Sequence, residues 1–424
     1  MHPLQALIAR HQQVAPCGVT SLCSAHPLVI EAALRHARRH ALPFVLFEAT
    51  CNQVNQDGGY TGMTPADFVR FVQDIADQAG GSQPAILLGG DHLGPNPWTA
   101  LAAEAAMAKA EAMVTAYVEA GFSKLHLDCS MACADDPTPL PEAEIVRRAV
   151  RLARAAEAAH ARTGGPAPVY VIGTEVPVPG GATEAIDGLA VTTPAAALAT
   201  IDAHREAFLA AGLGAAWQRV IASVVQPGVE FDHHHVIDYA PAKARALSEV
   251  IAGMPGMVFE AHSTDYQTRD KLAALVRDHF AILKVGPGLT FALREALWAL
   301  DAIERDWIAP GRRAHLREVA LARLHAEPKH WQRYYHAQGA QLDVDLQYSL
   351  SDRIRYYWPD AIIESARQRL FDNLRNNPPP LPLISQYLPH ALPALRAGRI
   401  DTTPEALVMA HLEAVLDDYH HACH

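Results

Sequence analysis

The feature that most constrains the fold is a regular alternation of short apolar segments with longer helix-like segments over the first 300 or so residues. Eight segments have the length and the β-branched, aliphatic composition of buried strands. They cover residues 17–24, 43–49, 84–90, 124–128, 168–175, 219–226, 257–262 and 280–286. Helix-like segments follow them at 27–39, 64–79, 97–120, 140–163, 193–213, 240–253, 267–278 and 289–306.

Strands that alternate with helices and are apolar almost throughout indicate a parallel sheet covered by helices on both faces. Eight consecutive units of this kind predict an α/β protein with a closed (β/α)8 TIM barrel over residues 1–307. An open, doubly wound sheet is the alternative. It is the weaker one, because no G-x-G-x-x-G follows the first strand segment.

The pattern changes after residue 307, where charged helical segments replace the strand alternation. The sequence NNPPPLP at 376–382 interrupts these segments, and helix-like sequence continues to the end. No low-complexity linker separates this part from the barrel. We therefore predict a helical C-terminal subdomain over 308–424 that packs on the barrel, with a partner-binding appendage as the alternative.

Composition excludes several classes of protein. A formal net charge of −11 argues against binding to nucleic acids or anionic membranes, both of which require a basic surface. The apolar stretches are shorter than the ~20 residues that span a bilayer, and the N-terminal sequence lacks the apolar core of a signal peptide. The six cysteines form no C-x-x-C pair, so we expect reduced thiols and a cytoplasmic protein.

Polar side chains concentrate where the predicted strands end, which is where (β/α)8 barrels place their catalytic groups. Each of the eight strand ends carries at least one residue that can titrate or form strong hydrogen bonds. They include Ser24, His26, Glu48, Asn52, Gln53, Asp91, His92, Asp128, Ser130, Thr174, Glu175, Gln226, Asp232, His233, Glu260, His262, Asp265 and Lys284. This concentration predicts a catalytic barrel mouth, in which we assign substrate binding to Glu48, Asn52, Gln226, Glu260 and Lys284.

Histidines at three separate strand ends predict a metal site. They are His92, a histidine of the run 233–235, and His262, with Glu175 or Asp128 as the carboxylate. This nitrogen and oxygen donor set suits Zn²⁺, Mn²⁺, Co²⁺ or Ni²⁺. Three consecutive histidines cannot all face one point, so at most two of the run are ligands. Each histidine alone could instead be a loop residue bonded to backbone. We interpret the histidine-rich tail 419–424 as a frayed terminus.

A reaction beside a carbonyl also needs a base, and Asp91, next to His92, can stand close to a metal-bound sugar oxygen. Glu175 or Asp265 could serve as the opposite acid or base. Lys284 is open to two interpretations: a Schiff-base lysine of a metal-free aldolase, or a group that binds an anion. The histidine set favours the second.

Ten long stretches resemble the non-catalytic subunit family of tagatose-1,6-bisphosphate aldolase, over nearly the whole chain. They are SAHPLVIEAAL (24–34), NQVNQDGGYTGMTPADF (52–68), GGDHLGPN (89–96), AGFSKLHLD (120–128), VIGTEVPVPGG (171–181), VVQPGVEFDH (224–233), EAHSTDYQT (260–268), DHFAILKVGP (278–287), YSLSDRIRYYWP (348–359) and ISQYLP (384–389). This family is related to the metal-dependent class II aldolases. It also includes metal-dependent 4-epimerases of ketoses and of uronates.

The class II aldolase pattern implies roles for individual residues. Asp91 and His92 resemble its base and metal ligand after strand three. Asp128 resembles the carboxylate after strand four and Glu175 the acid after strand five, while His233 and His262 resemble the two later metal histidines.

One departure from the pattern concerns phosphate. Class II aldolases cradle the substrate phosphate with glycine-rich backbone, but the loop AHSTDYQT (261–268) contains no glycine. Only Gly286-Pro287-Gly288 remains as a candidate anion nest. We therefore expect an unphosphorylated or singly charged sugar.

The resemblance implies two functions. The first is metal-dependent epimerisation at C4 of a ketose such as D-tagatose or D-fructose, by retro-aldol cleavage and re-formation of the C3–C4 bond. The second is a non-catalytic accessory subunit that stabilises or activates a class II tagatose-1,6-bisphosphate aldolase. The expected partners are a sugar substrate, a catalytic aldolase subunit in the second case, and further copies of the chain.

Overall fold

The computed structural model describes residues 1–82, 84–174 and 189–424. Eight parallel strands close into a barrel in the order of the chain, with the first strand paired to the last. They are β1 (Val19–Leu22), β2 (Phe44–Thr50), β3 (Ala85–Leu93), β4 (Lys124–Leu127), β5 (Val169–Ile172), β6 (Val220–Val224), β7 (Val258–Ala261) and β8 (Phe280–Val285). Every predicted strand segment overlaps an observed strand, so the predicted (β/α)8 barrel is confirmed.

Helices follow each strand, as the sequence predicts. They are α2 (Pro27–Arg39), α3 (Pro65–Ala79), α4 (Ala103–Glu119), α5 (Glu142–Thr163), α6 (Pro194–Ala210) with the short α7 (Gly214–Trp217), α8 (Pro241–Ala252), α9 (Arg269–Arg277) and α10 (Pro287–Trp307). The side chain of Thr64 accepts a hydrogen bond from the amide of Asp67, whose carboxylate in turn accepts from the amide of Thr64. This capping box fixes the start of α3. Between β6 and α8, residues 230–231 and 236–237 form a two-stranded antiparallel ribbon.

A helix that the sequence analysis did not predict, α1 (Pro3–Gln13), closes the amino-terminal end of the barrel. Leu4 and Ile8 pack into a cluster with interior residues of the strands. Gln12 Nε2 donates to the carbonyl oxygens of Met254 and Met257, which precede β7. The apolar side chains of α1 thus fill the amino-terminal end of the barrel interior.

The residues after α10 are helical, as predicted. They form α11 (Leu316–Ala326), α12 (Ala340–Tyr348), α13 (Ala361–Asn376), α14 (Leu381–Tyr387), α15 (Leu392–Arg396) and α16 (Pro404–Cys423), with short 3-10 turns at 310–312, 328–330, 353–357 and 389–391. One further 3-10 turn, at 96–98, lies between β3 and α4. None of the described helices is long and apolar enough to cross a membrane. The division into a barrel domain and a subdomain at residue 307 stays a prediction.

The last helix, α16, belongs to the ring around the barrel. It packs against α2, α9 and α10, and the carbonyl oxygen of Cys423 accepts a hydrogen bond of 3.0 Å from the amide of Gly18, just before β1. The interpretation of 419–424 as a frayed terminus is therefore wrong, because the helix continues through Cys423.

Gly94, directly after β3, allows the backbone to pass very close to the end of β4. A Cβ atom at this position would lie 1.7 Å from the carbonyl oxygen of Asp128. Any side chain at residue 94 would therefore push the ends of β3 and β4 apart, together with the polar residues that they carry.

We predict that Gly94→Ala lowers the free energy of unfolding by about 3 kcal/mol or more, since the backbone must shift to admit a methyl group. Urea denaturation followed by circular dichroism measures this change. Gly311→Ala is the control, because no atom lies within 4 Å of a Cβ built there. Equal stability of the two variants would contradict the prediction.

Candidate metal centre at the barrel mouth

The lower part of the site is a buried ion network inside the barrel. Lys124 on β4 lies between two carboxylates, Glu48 on β2 and Glu260 on β7, and all three side chains are fully buried. Lys124 Nζ is 2.7 Å from Glu260 Oε2 and forms a second, shorter ion pair with Glu48. Burial alone would lower the pKa of Lys124, but the two carboxylates outweigh it and raise the pKa.

Next to this network, four buried residues bring ligand atoms within 4.8 Å of one another: Asp91, His126, Glu260 and His262. His126 Nδ1 is 2.9 Å from Asp91 Oδ1, and His262 Nε2 is 3.0 Å from Glu260 Oε1. The second nitrogen of His126, Nε2, is buried without a hydrogen-bond partner among the described residues. Imidazole nitrogens and carboxylate oxygens are the donors that Zn²⁺, Mn²⁺, Co²⁺ and Ni²⁺ accept, so the residues fit a divalent metal.

His92 adds a third imidazole to this cluster. Its ring centroid lies 4.9 Å from that of His262 and 5.2 Å from that of His126. Nδ1 of His92 is 2.7 Å from Oδ2 of Asp128. The pKa of Asp128 is lowered, because its contacts with His92 outweigh burial, so the carboxylate is ionised and His92 donates from Nδ1. Nε2 then carries the lone pair and lies 3.5 Å from Asp91 Oδ2, so a cation could bind between the two atoms, as in many carboxylate–histidine–metal arrangements.

Asp91 and His92 are adjacent in sequence yet both reach the site because β3 is irregular at this point. The pairing of β3 with β4 shifts register between Gly90 and Leu93, and His92 has a φ of +49°. A regular strand would send neighbouring side chains to opposite faces. The register shift and the left-handed backbone of His92 turn one of the two side chains towards the barrel interior, as bulges near active sites commonly do.

The buried charges favour a divalent cation. Burial lowers the pKa values of His126 and His262, so both rings are neutral. Four buried carboxylates then face two ammonium groups, an excess of two negative charges among Glu48, Asp91, Asp128, Glu260, Lys124 and Lys284. Lys284 pairs directly with Asp91. Uncompensated buried charge is costly, and a divalent ion would cancel this excess.

A cavity of about 160 Å³ adjoins the cluster at the carboxyl ends of the strands. It is comparable in size to an engineered cavity of roughly 150 Å³ that binds benzene, so it can hold a small organic molecule. His92, His262 and Lys284 line it from the barrel side. The 3-10 turn at 353–357 covers it with Arg353, Arg355 and Tyr356, and Tyr334 lies beside them.

Asp265 occupies the predicted anion nest. Its Oδ1 accepts hydrogen bonds from the amides of Gly286 at 2.9 Å and Gly288 at 2.7 Å. The expectation that Gly286-Pro287-Gly288 is free to hold a substrate anion is therefore wrong. Burial raises the pKa of Asp265, although the two amides oppose that shift.

The structure brings some of the other predicted residues together and separates others. Asn52 lines the cavity. Gln226 does not line it; its Oε1 accepts from the amides of Gly228 and Val229 within its own loop. His233 lies apart from the cluster, with Nδ1 3.0 Å from Ser351 Oγ and Nε2 3.0 Å from the Tyr334 carbonyl oxygen. Glu175 lies outside the described residues.

Sequence reasoning missed His126 and Lys124 because it considered the residues after each strand rather than those within it. The signal was present: in KLHLD, polar residues at 124, 126 and 128 alternate with leucines, which places all three on the barrel interior. It also missed Glu230, a buried carboxyl group whose pKa is raised to about 7 by burial.

Comparison with known proteins agrees with this architecture. A crystal structure of a probable tagatose 6 phosphate kinase from Sinorhizobium meliloti 1021 is 52% identical, with a TM-score of 0.88, over 96% of this chain and 100% of that chain. Two similarities are remote. A fructose-bisphosphate aldolase from Campylobacter jejuni is 12% identical with a TM-score of 0.48, over 88% of this chain and 91% of that chain. The fructuronate-tagaturonate epimerase UxaE from Cohnella laeviribosi is 15% identical with a TM-score of 0.47, over 98% of this chain and 85% of that chain.

The family model described as "D-tagatose-1,6-bisphosphate aldolase subunit GatZ/KbaZ-like" matches residues 4–424. Since that match extends over almost the entire chain, the protein belongs to the GatZ/KbaZ-like family.

Proposed function

We propose that the protein catalyses metal-dependent epimerisation at C4 of a ketose such as D-tagatose or D-fructose, by retro-aldol and aldol chemistry. The observation that carries this proposal is the buried cluster of Asp91, His126, Glu260 and His262, with His92 beside it, next to an open cavity. A subunit that only supported another chain would not require an excess of buried negative charge beside an open cavity.

His92, His126, His262 and the carboxylates of Asp91 and Glu260 would hold the metal. When bound, a divalent metal would supply Lewis-acid polarisation of the ketose carbonyl. Lys284 lines the cavity and is fixed by its ion pair with Asp91. Its ammonium group can donate a hydrogen bond to the substrate oxygen that becomes negative when the C3–C4 bond breaks.

Asp265 is the sole carboxylate among the described residues that line the cavity. In the proposed reaction Asp265 takes the role that the sequence analysis gave to Asp91, because Asp91 is held by His126 and Lys284 and does not line the cavity. Asp265 accepts the proton of the C4 hydroxyl, and C4 becomes an aldehyde carbon. The electrons of the C3–C4 bond move to C3 and the C2 carbonyl, giving an enediolate. Asp265 returns the proton after the aldehyde has turned its other face to C3 and the bond has re-formed. The raised pKa of Asp265 suits a group that must both accept and return a proton.

An unphosphorylated ketose fits the cavity best. The amides at the start of α10 are already engaged by Asp265 Oδ1, and a phosphate brought there would meet that carboxylate. Hydrogen bonds to backbone fix the covering side chains in place: Arg353 Nε donates to the carbonyl oxygen of His330, and Arg355 donates to that of Asp352.

The second candidate is an accessory subunit of a tagatose-1,6-bisphosphate aldolase. The observation in its favour is that the matched family is described as an aldolase subunit. In that case the cluster would be an inherited site without turnover, and the partner would be a catalytic aldolase chain.

We predict that the purified chain with Mn²⁺, Ni²⁺ or Zn²⁺ interconverts D-fructose and D-tagatose, measured by chromatography of the sugars. Asp265→Asn should lower kcat by about 100-fold or more, because the base is lost, while bound metal is retained. Asp202→Asn, at a half-exposed position on α6, is the matched control. Absence of interconversion, together with activation of an added aldolase, would support the accessory role instead.

The metal ligands give a separate prediction. His126→Gln and His262→Gln should each reduce metal bound at the barrel mouth, measured by elemental analysis of the dialysed protein, since each removes a donor. His233→Gln should retain it, because both ring nitrogens of His233 bond to other groups. Equal metal content in the three variants would contradict the assignment.

A further inference from the structure

We propose a second divalent-metal site on the outside of the barrel, where α2 meets α16, with His36, His40, Asp417 and His420 as its ligands. The donor atoms of the first three lie within 4.8 Å of one another. His36 Nε2 is 2.9 Å from Asp417 Oδ1, and His40 Nε2 is 3.3 Å from the same oxygen. This site shares no residue with the cluster at the barrel mouth.

The spacing along both helices matches known metal-binding patterns. His36 lies in the last turn of α2 and His40, four residues on, caps that helix, with its amide donating to the carbonyl oxygen of His36. The spacing is that of the two histidines of helical zinc sites. Asp417 and His420 are three residues apart on α16, the spacing of carboxylate and histidine in helical di-metal proteins. In a tetrahedral site with bonds of about 2.0–2.1 Å, ligand atoms lie about 3.3 Å apart. The observed separations of Asp417 from the two histidines are close to this value.

His420 supplies the fourth donor. Its ring centroid is 4.1 Å from that of His40 and 5.6 Å from that of His36. Its Nδ1 is buried and has no hydrogen-bond partner among the described residues. Burial, helped by neighbouring histidines, lowers the pKa values of His36 and His420 to about 4, so both rings are neutral and able to bind a metal. Three imidazoles and one carboxylate favour Zn²⁺, Co²⁺ or Ni²⁺ over Mg²⁺ or Ca²⁺.

Arg39 is the principal competitor for these donors. Its guanidinium group lies 2.9 Å from Asp417 Oδ1 and 3.4 Å from His40 Nε2, and it also pairs with Glu413. A metal ion would displace it from Asp417, while the contact with Glu413 remains. Four other arginines, Arg35, Arg38, Arg269 and Arg399, line the surrounding cavity. Arg35 pairs with Glu31, Arg269 pairs with Asp418, and Arg38 donates to the carbonyl oxygens of Ala79 and Gly80.

The site joins parts of the chain that are far apart in sequence. Residues 36 and 417 are separated by 381 positions, and α16 packs in the ring beside α2. A metal bound to both helices would hold the C-terminal helix on the barrel. We therefore expect it to stabilise the fold and to be independent of any reaction at the barrel mouth.

The test uses the untagged full-length chain, depleted of metal by a chelator and titrated with Co²⁺, whose visible absorption reports tetrahedral ligation. We expect His40→Gln and His420→Gln each to bind one equivalent of Co²⁺ less than the wild type. Zn²⁺ should raise the thermal unfolding midpoint of the wild type, and both variants should lose that rise. Neither side chain is part of the core, so both variants should fold. Arg39→Gln should bind Co²⁺ more tightly, because the competing cation is removed.

His421→Gln is the matched control, since residue 421 is exposed on the same helix turn, and it should bind as much metal as the wild type. His126→Gln removes a donor only at the barrel mouth. The Co²⁺ bound at each of the two sites can therefore be measured separately, even if the protein turns over no sugar. Unchanged binding in both His40→Gln and His420→Gln, or an equal loss in His421→Gln, would overturn the proposal.

Discussion

The ion network of Lys124 with Glu48 and Glu260 is the interaction on which the barrel interior depends. It links β2, β4 and β7 inside the barrel, where no water can screen it, and its members are fully buried. Removing one member of such a network leaves an unpaired buried charge, which typically costs about 3–5 kcal/mol. The network also explains Gly89 in the motif GGDHLG, because a Cβ there would lie 2.7 Å from Glu48 Oε1.

The same network makes the metal cluster possible. Lys124 neutralises only one of its two carboxylates, and Glu260 also contacts His262. Asp91 is in turn held by Lys284 and His126. The donors are therefore fixed before any ligand arrives, which lowers the cost of assembling a metal site. The register shift in β3 completes the arrangement by turning both Asp91 and His92 inward.

Features that depend on residues close together in the sequence could be predicted, whereas features that depend on contacts between distant residues could not. The strands and the start of α3 follow from local patterns, namely apolar runs and the capping residues Thr64 and Asp67. The contribution of Arg353 and Arg355 to the cavity could not be predicted, because it depends on how residues after the barrel fold back over its mouth. The helix α1 was missed because its apolar residues are few and are separated by polar ones, although Leu4 and Ile8 are nearly fully buried.

Asp265 decides whether an anion can bind at the amino terminus of α10. Barrels of this type commonly bind phosphate near the last strands, where backbone amides and a helix amino terminus attract an anion. Here the amides of Gly286 and Gly288 are present, but both donate to Asp265 Oδ1. Phosphate and carboxylate would repel each other there, so a phosphate group could occupy this position only by displacing or protonating Asp265. The carboxylate of Asp265 thus takes up the backbone donors that would otherwise attract an anion at this position.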